Sequence, residues 1–195
     1  MALKRTHWRW LSILAAGFLL YLYSTPLSSE SFSNDDYDWY FHRYSTRYLP
    51  AYDWRWSKAQ GIQESLLNPR AVSHAGAMGI MQIMPGTWRE ETERLGIIAS
   101  PYNPRVNILV GTNYMRRMLR IWRAPRTDLE RLKLAQASYN AGAGNILRAQ
   151  TACRDASLWR DISPCLPTIT GRHAKETQTY VKRIEYWYAE EVSNF

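Results

Sequence analysis

Glu64 is the residue of this sequence best placed for proton chemistry. It stands near the end of a helical stretch opened by Asp53 and stopped by Asn68-Pro69, because the residue before a proline avoids the α region. A carboxyl in the last turn faces the negative end of the helix dipole and the unpaired terminal carbonyls. Ile62, Leu66 and Leu67 surround it in sequence with apolar side chains. Both influences disfavour the ionised form and raise a carboxyl pKa, which suits a general acid that must protonate a leaving oxygen near neutral pH. Position alone does not establish that role, since a helix-end glutamate is ordinarily a solvated surface residue. Other chemistries find less support. Cys153 and Cys165 have no His or further Cys at ligand spacing, so the pair reads as a disulfide in an oxidising compartment or as two free thiols, not as a metal site. Gly142-Ala143-Gly144 lacks the third glycine and the preceding strand of a nucleotide-binding turn. No cofactor motif is present.

The elements that must position Glu64 are helical. Asp35-Asp36 offers a cap for a first helix carrying Trp39, Tyr40, Tyr44 and Tyr48 and ending before Pro50. Asp53 caps a second helix, to about Leu67. From Val106, the positions Val110, Tyr114, Met118 and Trp122 keep a helical spacing. Thr127-Asp128-Leu129-Glu130 has the form of a capping box, opening a helix through Leu132, Ala135 and Tyr139. Thr177, Val181, Ile184 and Tyr188 mark one face of a last helix. Residues 73–86, rich in Gly and Met, fit neither a helix nor a long strand. The expected fold is mainly α (α+β), with a small irregular or hairpin-like insertion.

Four motifs, in order, give Glu64 a context. The first is Gln63-Glu64-Ser65-x-x-Asn68-Pro69-x-Ala71-x-Ser73, followed by Gly76-Ala77-Met78-Gly79-Ile80-Met81-Gln82-Ile83-Met84-Pro85-x-Thr87. Next come Asn107-Ile108 with Gly111-Thr112-x-Tyr114-Met115, then Ala137-Ser138-Tyr139-Asn140-Ala141-Gly142-x-Gly144. The last is Glu176-Thr177-x-x-Tyr180-Val181-x-x-Ile184. The series resembles the catalytic domain of the soluble lytic transglycosylase (SLT) family over about residues 34 to 190. Met78, Ile80 and Ser138 depart mildly from the commoner letters of that pattern.

The resemblance implies a lysozyme-like fold with a central groove for a glycan strand. It implies cleavage of the β-1,4 bond between N-acetylmuramic acid and N-acetylglucosamine of peptidoglycan. Glu64 would protonate the glycosidic oxygen and then serve as base on the muramyl 6-hydroxyl, leaving 1,6-anhydromuramyl ends. The substrate's N-acetyl group would stand in for a second carboxylate, and no Asp lies within the motifs as an obvious partner. By the same resemblance Ser73 would bond the N-acetyl or glutamate side, and Gln82 and Met84 would line the cleft. Tyr139 would approach Glu64, Tyr114 and Tyr180 would face the groove, Glu176 would meet the peptide stem, and Asn140 would bind substrate or cap its loop. Two rivals keep the same residues: a goose-type-like lysozyme using water as acceptor, and a non-catalytic wall-binding module of a secretion apparatus.

Composition bounds the rest. At 46% apolar and 22% charged, the 195 residues suit one folded domain with a short extension. Nine Trp and 13 Tyr serve a core or a sugar groove, where flat apolar faces with polar tips suit pyranose rings. The net charge of +8 would suit an anionic wall polymer or lipid. Helix-turn-helix, zinc-finger and RNA-platform signatures are absent, so nucleic acid is not an expected partner. Lys4, Arg5 and Arg9 precede an apolar run from Trp10 to Tyr23, shorter than the ~20 residues of a full span. Residues 1–23 read as a signal anchor or signal peptide, 24–33 as a Ser-rich tether, and 34–195 as the catalytic domain. The expected setting is the bacterial cell envelope, with a periplasmic domain held at the inner membrane. The expected partners are peptidoglycan strands, that membrane, and a wall-spanning or wall-synthesis machine. Residues 151–171 carry no assigned role.

Overall fold

The structure, a computed structural model, describes residues 35–193; the N-terminal segment and its tether lie outside the described residues. Among the described residues nine α-helices follow one another: α1 Asp38–Tyr48, α2 Arg55–Ser65, α3 Pro85–Leu95, α4 Pro104–Ile121, α5 Asp128–Ala141, α6 Ala143–Ala152, α7 Trp159–Ile162, α8 Leu166–Thr170 and α9 Ala174–Ser193. None of the described helices is long and apolar enough to cross a membrane.

Helix starts follow local chemistry. At α2 the cap position is Trp54, without a side-chain capping bond, and not the expected Asp53; one residue earlier, the Asp53 carboxylate accepts the Arg55 backbone N–H at 2.9 Å and pairs with the Arg55 guanidinium at 2.9 Å. Asn103 accepts the Val106 N–H at 3.2 Å, with Pro104 as the first residue of α4. At α5 half of the expected capping box forms: Thr127 accepts the Glu130 N–H at 3.3 Å, but the Glu130 carboxylate turns to the Trp159 N–H at 2.6 Å. At α1 the expected cap is absent. Tyr37 occupies the cap position and its side chain makes no capping bond, while the Asp35 carboxylate reaches Lys58 at 3.3 Å.

The end of α2 differs from the expectation by two residues. The helix stops at Ser65, and Leu66 and Leu67 both take left-handed backbone, at φ 53° and 61°. This double turn leaves Leu66 exposed and drives Leu67 into the core, so Leu66 does not help bury Glu64. Glu64 still lies in the last turn. Upstream, α1 crosses α2 so closely that a Cβ on Gly61 would come within 2.8 Å of the Phe41 ring.

Residues 72–83 form the irregular insertion, held by two isolated bridges, Val72 with Met78 and Met78 with Ile83. Its keystone is the buried Asn107 side chain. Asn107 accepts the Met81 N–H at 2.7 Å and donates to the carbonyls of Met78 at 3.0 Å and Pro101 at 2.8 Å. Each unmet bond of this kind inside a core would cost about 1–3 kcal/mol. Gly111 on α4 backs the same loop: a Cβ there would lie 2.6 Å from the Met81 side chain.

Two apolar clusters result. One gathers Phe41, Ile62, Leu67, Ile80, Met81 and Ile108; the other gathers Met118, Trp122, Leu134, Ile146, Leu166 and Ile184. Tyr48, Tyr139 and Trp187 pack against both, so Tyr139 sits on the seam. In the second cluster Ser138 accepts from Trp122 Nε1 at 3.0 Å and donates to the Leu134 carbonyl at 2.7 Å, a use for a hydroxyl that alanine could not supply.

Candidate active site

Helices α2 and α9 run in opposite directions along each other. Lys58 meets Glu191, Trp56 stacks on Tyr188 at 3.8 Å, Gln63 accepts from Trp187 Nε1 at 3.4 Å, and Glu64 meets Tyr180. The Tyr180 hydroxyl donates to Glu64 Oε1 at 2.5 Å. Glu64 is half-buried, and loss of water around its carboxyl lifts its pKa from 4.5 to about 8. The Tyr180 bond pulls the other way, and the charge of Glu176 adds to the rise. Burial therefore outweighs the one hydrogen bond. Tyr180 is itself buried, and burial followed by the nearby Glu64 charge raises its phenol pKa well above 10, so Tyr180 keeps its proton and is the donor of the pair.

A second carboxyl stands near. Glu176, one turn before Tyr180 on α9, has its pKa lifted from 4.5 to about 7 by desolvation. Among the described residues no cation lowers the pKa of either acid, and the charge of Glu176 raises that of Glu64.

The remaining residues singled out in the sequence fall into two groups. Tyr139 approaches Glu64 closely enough for that charge to raise its phenol pKa, after burial as the larger cause. Its hydroxyl bonds the Met81 carbonyl at 2.7 Å, however, so the tyrosine touching Glu64 is Tyr180. Tyr114 stacks at a tilt on Tyr139, centroids 5.0 Å apart, and burial raises its pKa as well. Met84, half-buried, caps α3. Glu64, Tyr139, Glu176 and Tyr180 thus form one electrostatic unit, with Tyr114 joined through Tyr139.

Three others have duties within the fold. The Ser73 hydroxyl accepts the Ala77 N–H at 3.0 Å and closes its own turn, while its hydrogen can still serve another acceptor. Gln82, at φ 45°, donates from Nε2 to the carbonyls of Gly79 at 2.9 Å and Ala71 at 3.3 Å, and so braces the insertion. Asn140 lies inside α5 rather than in a loop, since the helix runs through Ala141 and breaks at Gly142, φ 83°. Its Oδ1 accepts from Thr177 at 2.8 Å, fastening α5 to α9.

Two contributors escaped the sequence reading. Gln60 is buried one turn before Glu64 on α2 and lies close enough to the Tyr180 hydroxyl to act against the rise in its pKa, a spacing visible in the sequence but silent without α9. Behind Tyr114, the buried Glu91 accepts from Asn113 at 2.7 Å and pairs with Arg117, which also reaches Glu90 at 3.1 Å. Cys153 and Cys165 are bonded, Cα atoms 5.8 Å apart, and Gln178 of α9 donates to the Ser163 carbonyl at 2.7 Å. The 153–171 segment is therefore tied to the helix that carries Glu176 and Tyr180. Among the described residues no His, Cys, Asp or Glu cluster has the form of a metal site.

A helical domain that holds a desolvated, largely protonated glutamic acid at a helix end, with a buried tyrosine donating to it, is arranged to give up a proton near neutral pH. Comparison with known proteins makes this specific. The Transglycosylase SLT domain matches residues 51–162, and the chain belongs to that family. The membrane-bound lytic murein transglycosylase F of Shewanella halifaxensis is 33% identical over 147 residues, covering 73% of this chain and 29% of that protein. Its counterpart in Thiobacillus denitrificans is 30% identical over 152 residues, covering 76% and 30%. This chain thus matches less than a third of the length of these curated relatives. Among solved structures, an inactive mutant of the lytic transglycosylase Slt from Pseudomonas aeruginosa superposes with a TM-score of 0.65 at 26% identity, covering 82% of this chain and 25% of that one. The 70 kDa soluble lytic transglycosylase from Escherichia coli gives 0.60 at 28% identity, covering 80% and 24%. The fold is the mostly helical, lysozyme-like one.

Proposed function

We propose that the protein is a peptidoglycan lytic transglycosylase, cleaving the β-1,4 bond between N-acetylmuramic acid and N-acetylglucosamine with Glu64 as its single acid and base. The observation that carries this is the Glu64 carboxyl, lifted to about 8 by burial and bonded only on Oε1 by Tyr180. With a pKa one unit above neutrality, roughly nine-tenths of it is protonated at pH 7. Tyr180 occupies Oε1, so Oε2 carries the proton to the glycosidic oxygen. As that bond breaks, the carboxylate left behind is stabilised by the same Tyr180 donor. It then takes the proton of the muramyl 6-hydroxyl, which closes on C1 to give the 1,6-anhydro ring. No water is consumed, and Glu64 ends the cycle protonated as it began.

Glu176 bears on the choice of acceptor. A lysozyme of the two-carboxylate kind keeps its second carboxylate ionised to meet the oxocarbenium-like centre. Glu176, at about 7, is only half-charged at neutral pH. It is a weak stabiliser, which supports the substrate's own N-acetyl group in that role. Ser73, Gln82, Met84, Tyr114, Tyr139, Asn140 and Glu176 are proposed to line or brace the groove around the two sugars.

The setting proposed is the bacterial cell envelope, with residues 1–23 holding the domain at the inner membrane and residues 24–33 as tether. Relatives described as membrane-bound lytic murein transglycosylases support it. Mass analysis of fragments released from purified sacculi tests the chemistry. Anhydro ends, one water lighter than reducing ends, are expected from the wild type and none from Glu64→Gln. Reducing ends from the wild type would overturn the mechanism in favour of hydrolysis.

A further inference from the structure

Away from Glu64, the end of α1, the 49–52 turn and the C-terminal half of α4 border an open depression of about 430 Å³. None of its lining residues belongs to the site above. Its floor is apolar and aromatic, from Leu49, Tyr52, Leu119 and Trp122, and its other walls carry Arg116, Arg120, Arg123 and Arg131. No carboxylate lines it. Arg131 pairs with Asp128 at 3.1 Å, but Arg116, Arg120 and Arg123 have no ion-pair partner among the described residues.

Three of these arginines, Arg116, Arg123 and Arg131, are held in place before any ligand arrives. The guanidinium groups of Arg116 and Arg47 both lie against the Tyr48 ring, at 5.7 and 5.6 Å. Arg123 Nε donates to the Arg120 carbonyl at 3.0 Å, and Arg131 Nε to the Trp122 carbonyl at 3.1 Å. Nearby, Arg126 sits over Trp122 at 5.4 Å, and its pKa is lowered by desolvation and then by the charge of Arg131. The helix dipole accounts for a cation such as Arg120 in the last turn of α4. It does not account for Arg116, further up the helix, or for Arg131 on α5. Four like charges round one depression, of which only Arg131 has a counter-charge among the described residues, in Asp128, are unfavourable until an anion enters, and guanidinium forks match the geometry of a carboxylate.

The lining narrows the choice of anion. Arginines stand beside apolar Leu49 and Leu119 and the rings of Tyr52 and Trp122, which matches one small anionic group together with its apolar neighbours. We propose that this depression is a second, non-catalytic docking site for the carboxylates of the peptides borne by the glycan substrate. The guanidinium groups would take the carboxylate, and the aromatic floor the side-chain methyl groups. The inference rests on peptidoglycan as the substrate.

The test uses the full chain in detergent with Glu64→Gln, so that binding is read without cleavage. Retention on intact sacculi is compared with that of the same chain carrying Arg116→Gln and Arg120→Gln. A fall of about tenfold is expected, the scale of one charge-assisted hydrogen bond. No fall is expected on glycan strands stripped of peptide by an amidase, and N-acetyl-L-alanyl-D-glutamate, but not inorganic phosphate at equal ionic strength, should compete. Lys182→Gln with Arg183→Gln removes the same charge from the exposed face of α9 and should leave retention unchanged. An equal loss from that control pair, an equal loss on stripped glycan, or equal competition by phosphate would overturn the proposal. Cleavage by the wild type is scored separately. Anhydro products with no effect of the arginine pair would sink the docking site alone, and no cleavage with a specific arginine effect would sink the enzyme reading alone.

Discussion

Helix α2 carries two buried ionic stations within two turns, and they are built on opposite plans. At its start Lys58, 1% exposed, meets Asp38 and Glu191 at 2.7 Å each, with Asp35 at 3.3 Å. Burial works against the ammonium, but the bonds from Asp38 and Glu191 outweigh it and raise the Lys58 pKa. At its end Glu64 meets phenols and another acid, and burial prevails. Both stations join α2 to α9. The difference shows that depth alone does not decide what a buried ionisable group does: charged partners make a clamp, and neutral partners make a poised acid.

Four measurements would break or sharpen that contrast. Glu64→Gln should reduce release of fragments from sacculi by about 10³-fold or more, the upper part of the range for a lost general acid; residual cleavage near the wild-type rate would end the acid assignment. Lys58→Met should take the cation away from the buried Glu191 and the half-buried Asp38 and lower unfolding stability by about 3–5 kcal/mol in denaturant titration. The basic limb of its pH–rate profile should stay where it is, so a displaced limb would show that the clamp and the acid are one unit.

Tyr180→Phe removes a bond that lowers the Glu64 pKa and also stabilises the carboxylate formed during turnover. A fall in kcat/KM of about tenfold is expected. The basic limb, set by loss of the Glu64 proton near pH 8, should shift upward. A downward shift would contradict the direction of the bond.

The smallest effect is on stability. The native carboxyl of Glu64 holds its proton to about pH 8, whereas the unfolded one loses it near 4.5, so the native state binds more protons between those values. Stability from this group is complete below 4.5 and is lost as pH rises through 8. Glu64→Gln should therefore gain on the wild type by about 1–2 kcal/mol across that window, allowing for partial solvent screening of a half-buried group. Parallel pH–stability curves for the two chains would argue against a raised pKa.

Much of this was legible in the sequence because it is local. The helices around Val110, Ala135 and Ile184 follow from apolar spacing, and Thr127 marks one start in residue type. The Glu64 motif pointed to the acid. Less visible were features set by meeting surfaces. Nothing near Leu66 and Leu67 announces two consecutive left-handed leucines; the turn is imposed by the packing of Leu67 against Phe41 and Ile80. The exchange of roles between Tyr139 and Tyr180 depends on how α9 lies along α2. The Lys58 clamp draws its carboxylates from both ends of the described chain, so no window of sequence contains it.

Gly111 touches no acid and faces no sugar, yet it fixes a limit on how this protein can vary. The smallest possible addition there, one methyl group, would collide with Met81, whose carbonyl receives the Tyr139 hydroxyl and whose N–H is held by Asn107. In a saturation library, position 111 should therefore tolerate as little as the acid itself. An evolving lineage could change the groove's lining side chain by side chain, while the space behind that loop stayed closed to any carbon.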